Sequence, residues 1–356
     1  MINKIENQFK FIRIAISISI ALLLAFLIIS FVSKDPLFAM YNLIIGPFEN
    51  IRRVGNIVEL MIPLLFTGVG VSIMYSAGQI NMASEGAFFL GGVAAAYVSV
   101  TFLLPYGIHP VVAMIAGGLI GGLIGLIPAI LFVKFKALPV VSSLMLNYIS
   151  YFLGMYVIHY IIFDPETGYL SSFLYKETAI LPKLFSVTRI HWGLVIGLIV
   201  VVLGYLFLKK SKWGYAIRMI GMNPNFAQYS GINVGFYILL CQLIGGAIAG
   251  IGGAVEQLGM YSRFQYQKLS GHGFDGVLVA ILANYNPKFV PLAAFFIAYV
   301  RVGADVMARN SDVPIEIVSI IQAVIIVFVA SERFLAGWKH RKIVKASQER
   351  FASEEA

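Results

Sequence analysis

The sequence predicts an all-α polytopic membrane protein, on three observations. Of its 356 residues, 59% are hydrophobic and only 12% are charged. The mean hydropathy is +0.86. Apolar runs near the roughly 20 residues needed to span hydrocarbon recur along the whole chain. A soluble protein of this length could not hide so much apolar surface in one or two cores.

The runs place crossings at about 12–32, 56–75, 86–104, 110–133 and 140–163 in the first half. In the second half they fall at about 190–208, 232–256, 271–285, 288–308 and 314–330. That makes about ten transmembrane helices, with 271–285 the shortest. The first run lacks an A-x-A-type cleavage site and is long enough to stay as a spanning helix.

The net charge of +9 takes its meaning from where the charges sit. Basic clusters occur in MINKIENQFKFIR at the start, KFK at 134–136, KKSKWGYAIR at 209–218, and between Arg333 and Lys345. With the N-terminus inside, about ten crossings put every cluster on the cytoplasmic side and return the C-terminus there, as positive-inside bias requires. The charge is thereby explained by membrane lipid and topology, without nucleic acid. Two longer connections, 33–55 and 164–189, face the other side and read as surface structure with short interfacial helices. The final SQERFASEEA is a solvated end, and no segment is large enough to form a separate soluble domain.

Several chemistries lack their residues. The single Cys241 sits in an apolar run, so neither a disulfide framework nor a cysteine metal site is expected. The five histidines are scattered, with no metal-ligand spacing, and no metal site is expected. His272 beside Asp275 is the one pair of note, and it reads as structural. No G-x-x-x-x-G-K-[ST] occurs, so the chain carries no Walker-type ATP site. Arg301 and Asp305 stand four apart and suggest an intrahelical ion pair. The 34 glycines cluster in GGLIGGLIG at 117–125 and GGAIAGIGG at 245–253, which reads as close helix packing.

SEGAFFLGGVAAAY at 84–97 and FDGVLVAILANY at 274–285 form a weak internal match. Each has an acid followed by glycine (Glu85-Gly86 and Asp275-Gly276), then an apolar run ending in tyrosine. A glycine-bearing helix precedes each copy and two further spans follow it. By the crossing count the copies run in opposite directions, the arrangement of an inverted repeat whose polar helix ends meet around a solute path. Glu85 and Asp275 could simply cap their own helices, or cap them and line that path. Asn81, Asn147 and Gln257 are polar groups that could join the lining, and Phe88, Phe89 and Phe274 could stack on a flat solute.

Between the sixth and seventh spans lies KKSKWGYAIRMIGMNPNFAQYSGIN, 209–233. Asn223 is a natural cap for a short helix from Pro224 to about Ser230, which Gly231 would end. An exposed aromatic and an arginine on such a helix suit docking into another protein; the other reading is a helix lying on lipid headgroups.

This loop resembles the G-x-x-x-R-x-x-G-x-N-x-x-x-A pattern of permease subunits of ATP-binding-cassette importers, in the branched-chain amino acid, ribose and nucleoside permease superfamily. Gly214, Arg218, Gly221, Asn223 and Ala227 match it in place, and Pro224 follows the asparagine. NMASEGAFFLGG looks like the superfamily's first hallmark. GFDGVLVAILANYNP looks like the second, in its nucleoside-type, simple-sugar-like form. Where many nucleoside-type relatives have a glutamine after the first acid-glycine pair, this chain has Ala87, which leans toward the branched-chain variant.

The resemblance implies a type II importer-like permease domain over the whole chain. The first repeat would occupy about 56–163, the coupling loop about 209–233, the second repeat about 232–330 and the tail 331–356. It implies a bacterial cell membrane location with both termini cytoplasmic. Two ATPase subunits, a second and related permease chain, and an extracellular solute-binding protein or lipoprotein would complete the machine. ATP would be bound by the partners, and this chain would need no cofactor or catalytic residue. Nucleosides are the expected solute, with a simple sugar or branched-chain amino acid as the alternative. An ion-coupled secondary transporter is the competing class, and it would need ionisable groups deep in the bilayer, of which Glu59, Arg301 and Asp305 are the candidates.

Overall fold

The computed structural model describes residues 19–20, 22–185 and 187–330. The basic stretch at the chain's start, the first part of the crossing expected at 12–32, and the basic tail at 331–356 lie outside the described residues.

Helix follows the apolar runs. The helices are α1 (Leu22–Val32), α2 (Pro36–Ile44), α3 (Ile51–Tyr75), α4 (Ser84–Thr101), α5 (Ile108–Phe135), α6 (Pro139–Tyr160) and α7 (Gly193–Lys210). They continue as α8 (Lys212–Met222), α9 (Pro224–Tyr229), α10 (Val234–Met260), α11 (His272–Leu282), α12 (Val290–Asn310) and α13 (Ile315–Ala330). Among the described residues six spans are long and apolar enough to cross a membrane: α3, α5, α6, α7, α10, and α12 with the turn before it. The crossing expected at 271–285 is shorter than required. α11 has 11 residues, so at 1.5 Å per residue it covers about 16 Å, roughly half of a hydrocarbon core about 30 Å thick.

The two connections expected to carry short interfacial helices hold short helical structure. The first holds α2, whose start is capped by Asp35 accepting from Phe38 N, and a 3-10 turn at Gly46–Phe48. The second holds 3-10 turns at Pro165–Thr167 and Glu177–Ala179, with isolated bridges pairing Phe163 with Ser172 and Lys183 with His191.

The chain divides into two compact units, one of 1–49 with 300–356 and one of Asn50–Tyr299. In the first, Asn310 donates to Asn42 at 2.9 Å, and Asp312 accepts from Ser33 Oγ and the Lys34 backbone N–H. Asp305 pairs with Arg309, four residues on, at 3.0 Å.

The second unit is organised around α10, which α3, α4 and α5 all approach. Its glycines explain how. A Cβ on Gly246 would meet Gly121 O and Gly125 Cα, and one on Gly250 would meet Gly117 O. The stretches 117–125 and 245–253 therefore lie backbone against backbone, an approach that side chains would forbid. Gly70 and Gly245 make the same contact between α3 and α10, and Gly253 makes it with Phe88 O of α4.

Candidate functional site

Two regions hold the residues singled out by sequence. The first is where α4 and α11 begin. Both starts are buried, and a helix start carries backbone N–H groups without intrahelical partners. The Glu85 carboxylate resolves this for α11, not for its own helix. Its Oε1 accepts from Gly271 N at 2.7 Å, and its Oε2 accepts from Gly273 N at 2.7 Å and Phe274 N at 3.3 Å. The expectation that Glu85 caps its own helix is therefore corrected: the cap crosses 186 residues of sequence. Gly273 has to be glycine here, since a Cβ would run into the Glu85 N and Cα atoms. Ser84 Oγ closes the contact by donating to Gly273 O at 3.1 Å.

The start of α4 is held by two asparagines instead. Asn81 Oδ1 accepts from Ala83 N at 2.9 Å, while its amide donates to Gly125 O and to Gln242 Oε1. Asn147 on α6 accepts from Gly86 N and donates to Met82 O, both at 2.9 Å. Asn81, Glu85 and Asn147 are all buried and thus spend their polar groups on holding the two helix starts.

The aromatic candidates divide. Phe88 and Phe89 are each 1% exposed: Phe88 meets His272 edge-on at 5.5 Å, and Phe89 packs on Tyr151 and Phe264. Phe274 is 37% exposed. Gln257 accepts from the Tyr175 hydroxyl at 3.0 Å, and burial pushes that phenol well above its usual range, so it stays a donor. Asp275 is buried in the first turn of α11.

His272 is paired with Glu256, not Asp275, with Nε2 to Oε1 at 2.9 Å. Sequence reasoning missed Glu256 altogether. The available signal was an acid inside the apolar run of α10, where an ionisable group is costly and seldom idle.

The second region is α8 and α9. Ser211 caps α8 by accepting from Gly214 N at 3.0 Å. Gly214, Arg218 and Gly221 fall on one face of α8 by their spacing of four and three. Gly214 lies against the Phe207 and Leu208 carbonyls at the end of α7, and Gly221 against Ser76 O just past α3. Arg218 is consequently half-buried, with Nη1 buried and without a hydrogen-bond partner among the described residues. It belongs to the packed face and is not the exposed arginine that the sequence suggested.

The outward surface is apolar instead. Asn223 Oδ1 accepts from Phe226 N at 3.0 Å and starts α9 at Pro224; Gly231, at φ +81°, follows its end. Ala227 alone is buried on α9, while Met222 is 82%, Phe226 54% and Tyr229 92% exposed. Among the described residues no group of three or more His, Cys, Asp or Glu side chains is placed to hold a metal.

A glycine-packed helical core with a capped polar junction and a bare projecting helix defines a membrane protein of the transport class. The chain belongs to the family described as branched-chain amino acid transport system / permease component, whose model matches residues 53–330. It is 34% identical to the guanosine ABC transporter permease protein NupP of Bacillus subtilis, over 85% of this chain and 88% of that one. It is 28% identical to the nucleoside ABC transporter permease protein NupB of Lactococcus lactis, over 94% of each. It is also 28% identical to the glucose ABC transporter permease protein TsgB13 of Haloferax volcanii, over 78% of this chain and 76% of that one.

Proposed function

We propose that this chain is the permease subunit of an ATP-binding-cassette importer that carries nucleosides across a bacterial cell membrane. The observation that carries the coupling role is α9. A six-residue helix with its own cap and its own stop holds Phe226 and Tyr229 out from the fold, beside the exposed Met222 that ends α8. Exposed apolar groups on a fixed frame suit a groove in a partner, here the ATPase subunits. The base of that frame touches Ser76 and Gly78, in the connection that leads to α4. A push on α9 is thereby delivered to the α4 and α11 junction as rigid-body motion.

The solute follows from the relatives, two of the three being named for nucleosides or guanosine. In this reading five crossings from a cytoplasmic N-terminus precede the 161–192 segment and six precede α8, which puts α9 on the ATPase side and 161–192 on the side of a solute-binding protein. The packing of α4 on α10 and of α11 on α3 supports an inverted repeat, since each second helix lies on the other copy's first. A second, related permease chain completes the pathway.

Uptake of labelled guanosine, measured against ribose, glucose and leucine in cells expressing the full set of subunits, tests the solute. Guanosine uptake competed by nucleosides alone is expected; uptake of glucose or leucine without guanosine overturns the reading. Met222→Asp with Tyr229→Asp is expected to abolish uptake while the binding protein still captures guanosine. Normal uptake in that variant overturns the role of α9.

A further inference from the structure

A stretch of chain without helix runs through the depth that the long helices span. α10 ends at Met260 and α11 begins at His272. The segment between them starts beside the 161–192 connection, where Ser172 N donates to Phe264 O at 3.0 Å and Arg263 pairs with Asp164 at 3.1 Å. Asp164 also lines a cavity of about 560 Å³, large enough for a small solute. The segment ends at Glu85, which takes the Gly271 N–H. On the way, the Tyr151 hydroxyl donates to Gln267 O at 2.7 Å. Tyr151 lies about 18 Å along the 22 residues of α6, a helix about 33 Å long, so Gln267 stands near mid-span. Among the described residues the backbone N–H groups of 265–269 find no hydrogen-bond partner.

Lipid cannot serve such groups. At hydrocarbon depth, irregular backbone persists only where protein buries it or where it borders water. The side chains show which. Phe264, Tyr266 and Leu269 pack inward with Phe89 and Tyr151, whereas Gln265, Gln267 and Lys268 are exposed. Such a division gives an extended segment one dry side and one wet side. The neighbouring face of α6 is aromatic. Tyr148 and Phe152, four residues apart, are 64% and 66% exposed, and the Phe152 ring meets that of Tyr151 at 5.3 Å. By contrast α5 exposes Ile115, Leu119, Leu123 and Ile127 along its middle, the aliphatic stripe that lipid favours. A lysine and two carboxamides beside two bare rings suit a flat polar solute instead.

We infer that 265–268 and the Tyr148–Phe152 face of α6 form a water-lined wall of the solute passage at mid-span. The base of the nucleoside stacks on Tyr148 and Phe152, and its polar edge is met by Gln265, Gln267 and Lys268. The second permease chain supplies the facing wall. This rests on the proposed function and names the surface that the solute crosses, since Asn81, Glu85 and Asn147 are spent on holding helix starts.

The test uses the complete reconstituted importer in a Cys241→Ser background. Gln267→Cys, Lys268→Cys and Leu123→Cys are each exposed to a water-soluble, membrane-impermeant thiol reagent on both sides, at rest and during ATP-driven cycling. The first two are expected to react in at least one condition, and the lipid-facing Leu123→Cys in none. Guanosine with its binding protein is expected to slow the reaction. No modification at 267 or 268 in any condition, as burial against lipid or the second permease chain gives, overturns the wall. Modification that guanosine leaves unslowed overturns the solute's place on it. For the stacking, Phe152→Ala is expected to slow guanosine transport about tenfold while binding-protein-stimulated ATP hydrolysis persists, and Phe152→Trp to restore most of the rate. A Phe152→Ala importer as fast as wild type overturns the stacking. A wild-type importer that moves no nucleoside overturns the function on which the inference stands, while the labelling at 267 and 268 reads the wall by itself.

Discussion

Two short helices, α9 and α11, begin in opposite ways. α9 is started by Asn223, which precedes it in the chain. α11 is started by Glu85, which belongs to another helix. The first takes its cap from its own segment of chain. The second exists in its place only while α4 and α11 stay together. On the proposed coupling role, α9 would transmit a force and α11 would register it.

The contrast is broken most severely at Glu85. Glu85→Ala leaves the N–H groups of Gly271, Gly273 and Phe274 without their acceptor. Since each buried donor left unsatisfied costs about 1–3 kcal/mol, a loss of roughly 3 kcal/mol or more is expected. Thermal unfolding of the detergent-solubilised protein checks it, and Glu85→Gln is expected to recover only part of the loss. Gly250→Ala follows. Its Cβ would strike Gly117 O, and overpacking of about 1–3 kcal/mol is expected by the same measurement. A Gly250→Ala protein as stable as wild type would show that α5 and α10 can separate at no cost.

Asn223→Ala removes a local cap, worth about 1 kcal/mol, from a helix that little else depends on. The melting point is expected to shift little, while ATP-driven uptake falls. Hydrogen exchange at Phe226 and Ala227 should rise without a matching rise at Gly273.

The smallest effect lies in the other unit. The Lys34 backbone N–H, and then the Ser33 hydroxyl, hold the Asp312 carboxyl below the usual carboxylate range. A lowered folded value means that its stabilisation is present above the ordinary aspartate pKa and is lost as pH falls through the folded value. The group is exposed, so the change is slight, and Asp312→Asn is expected to flatten the acid limb of the stability profile below about pH 4.

Local signals were legible in the sequence. Asn223, Pro224 and Gly231 are neighbours whose chemistry starts and stops a helix within one turn, and α9 begins and ends where they say. The apolar runs located the long helices to within a few residues, because length and hydropathy are sums over a segment. Partners distant in sequence were not legible. Glu85 read as the cap of its own helix because its true acceptor role depends on a glycine 188 residues away. His272 read with Asp275 because they are adjacent, although the helix turn aims it at Glu256. Arg218 read as exposed because only the packing of Gly214 and Gly221 shows which face of α8 is covered.

The shortness of α11 has a consequence for what the protein turns away. A helix start carries roughly half a positive charge. One left open within the membrane's thickness would draw phosphate, and with it nucleotides. Glu85 already occupies that position, its carboxyl oxygens accepting from Gly271 N and Gly273 N. On the proposed importer role, a phosphorylated solute would find that helix start already filled, while the unphosphorylated compound would not depend on it.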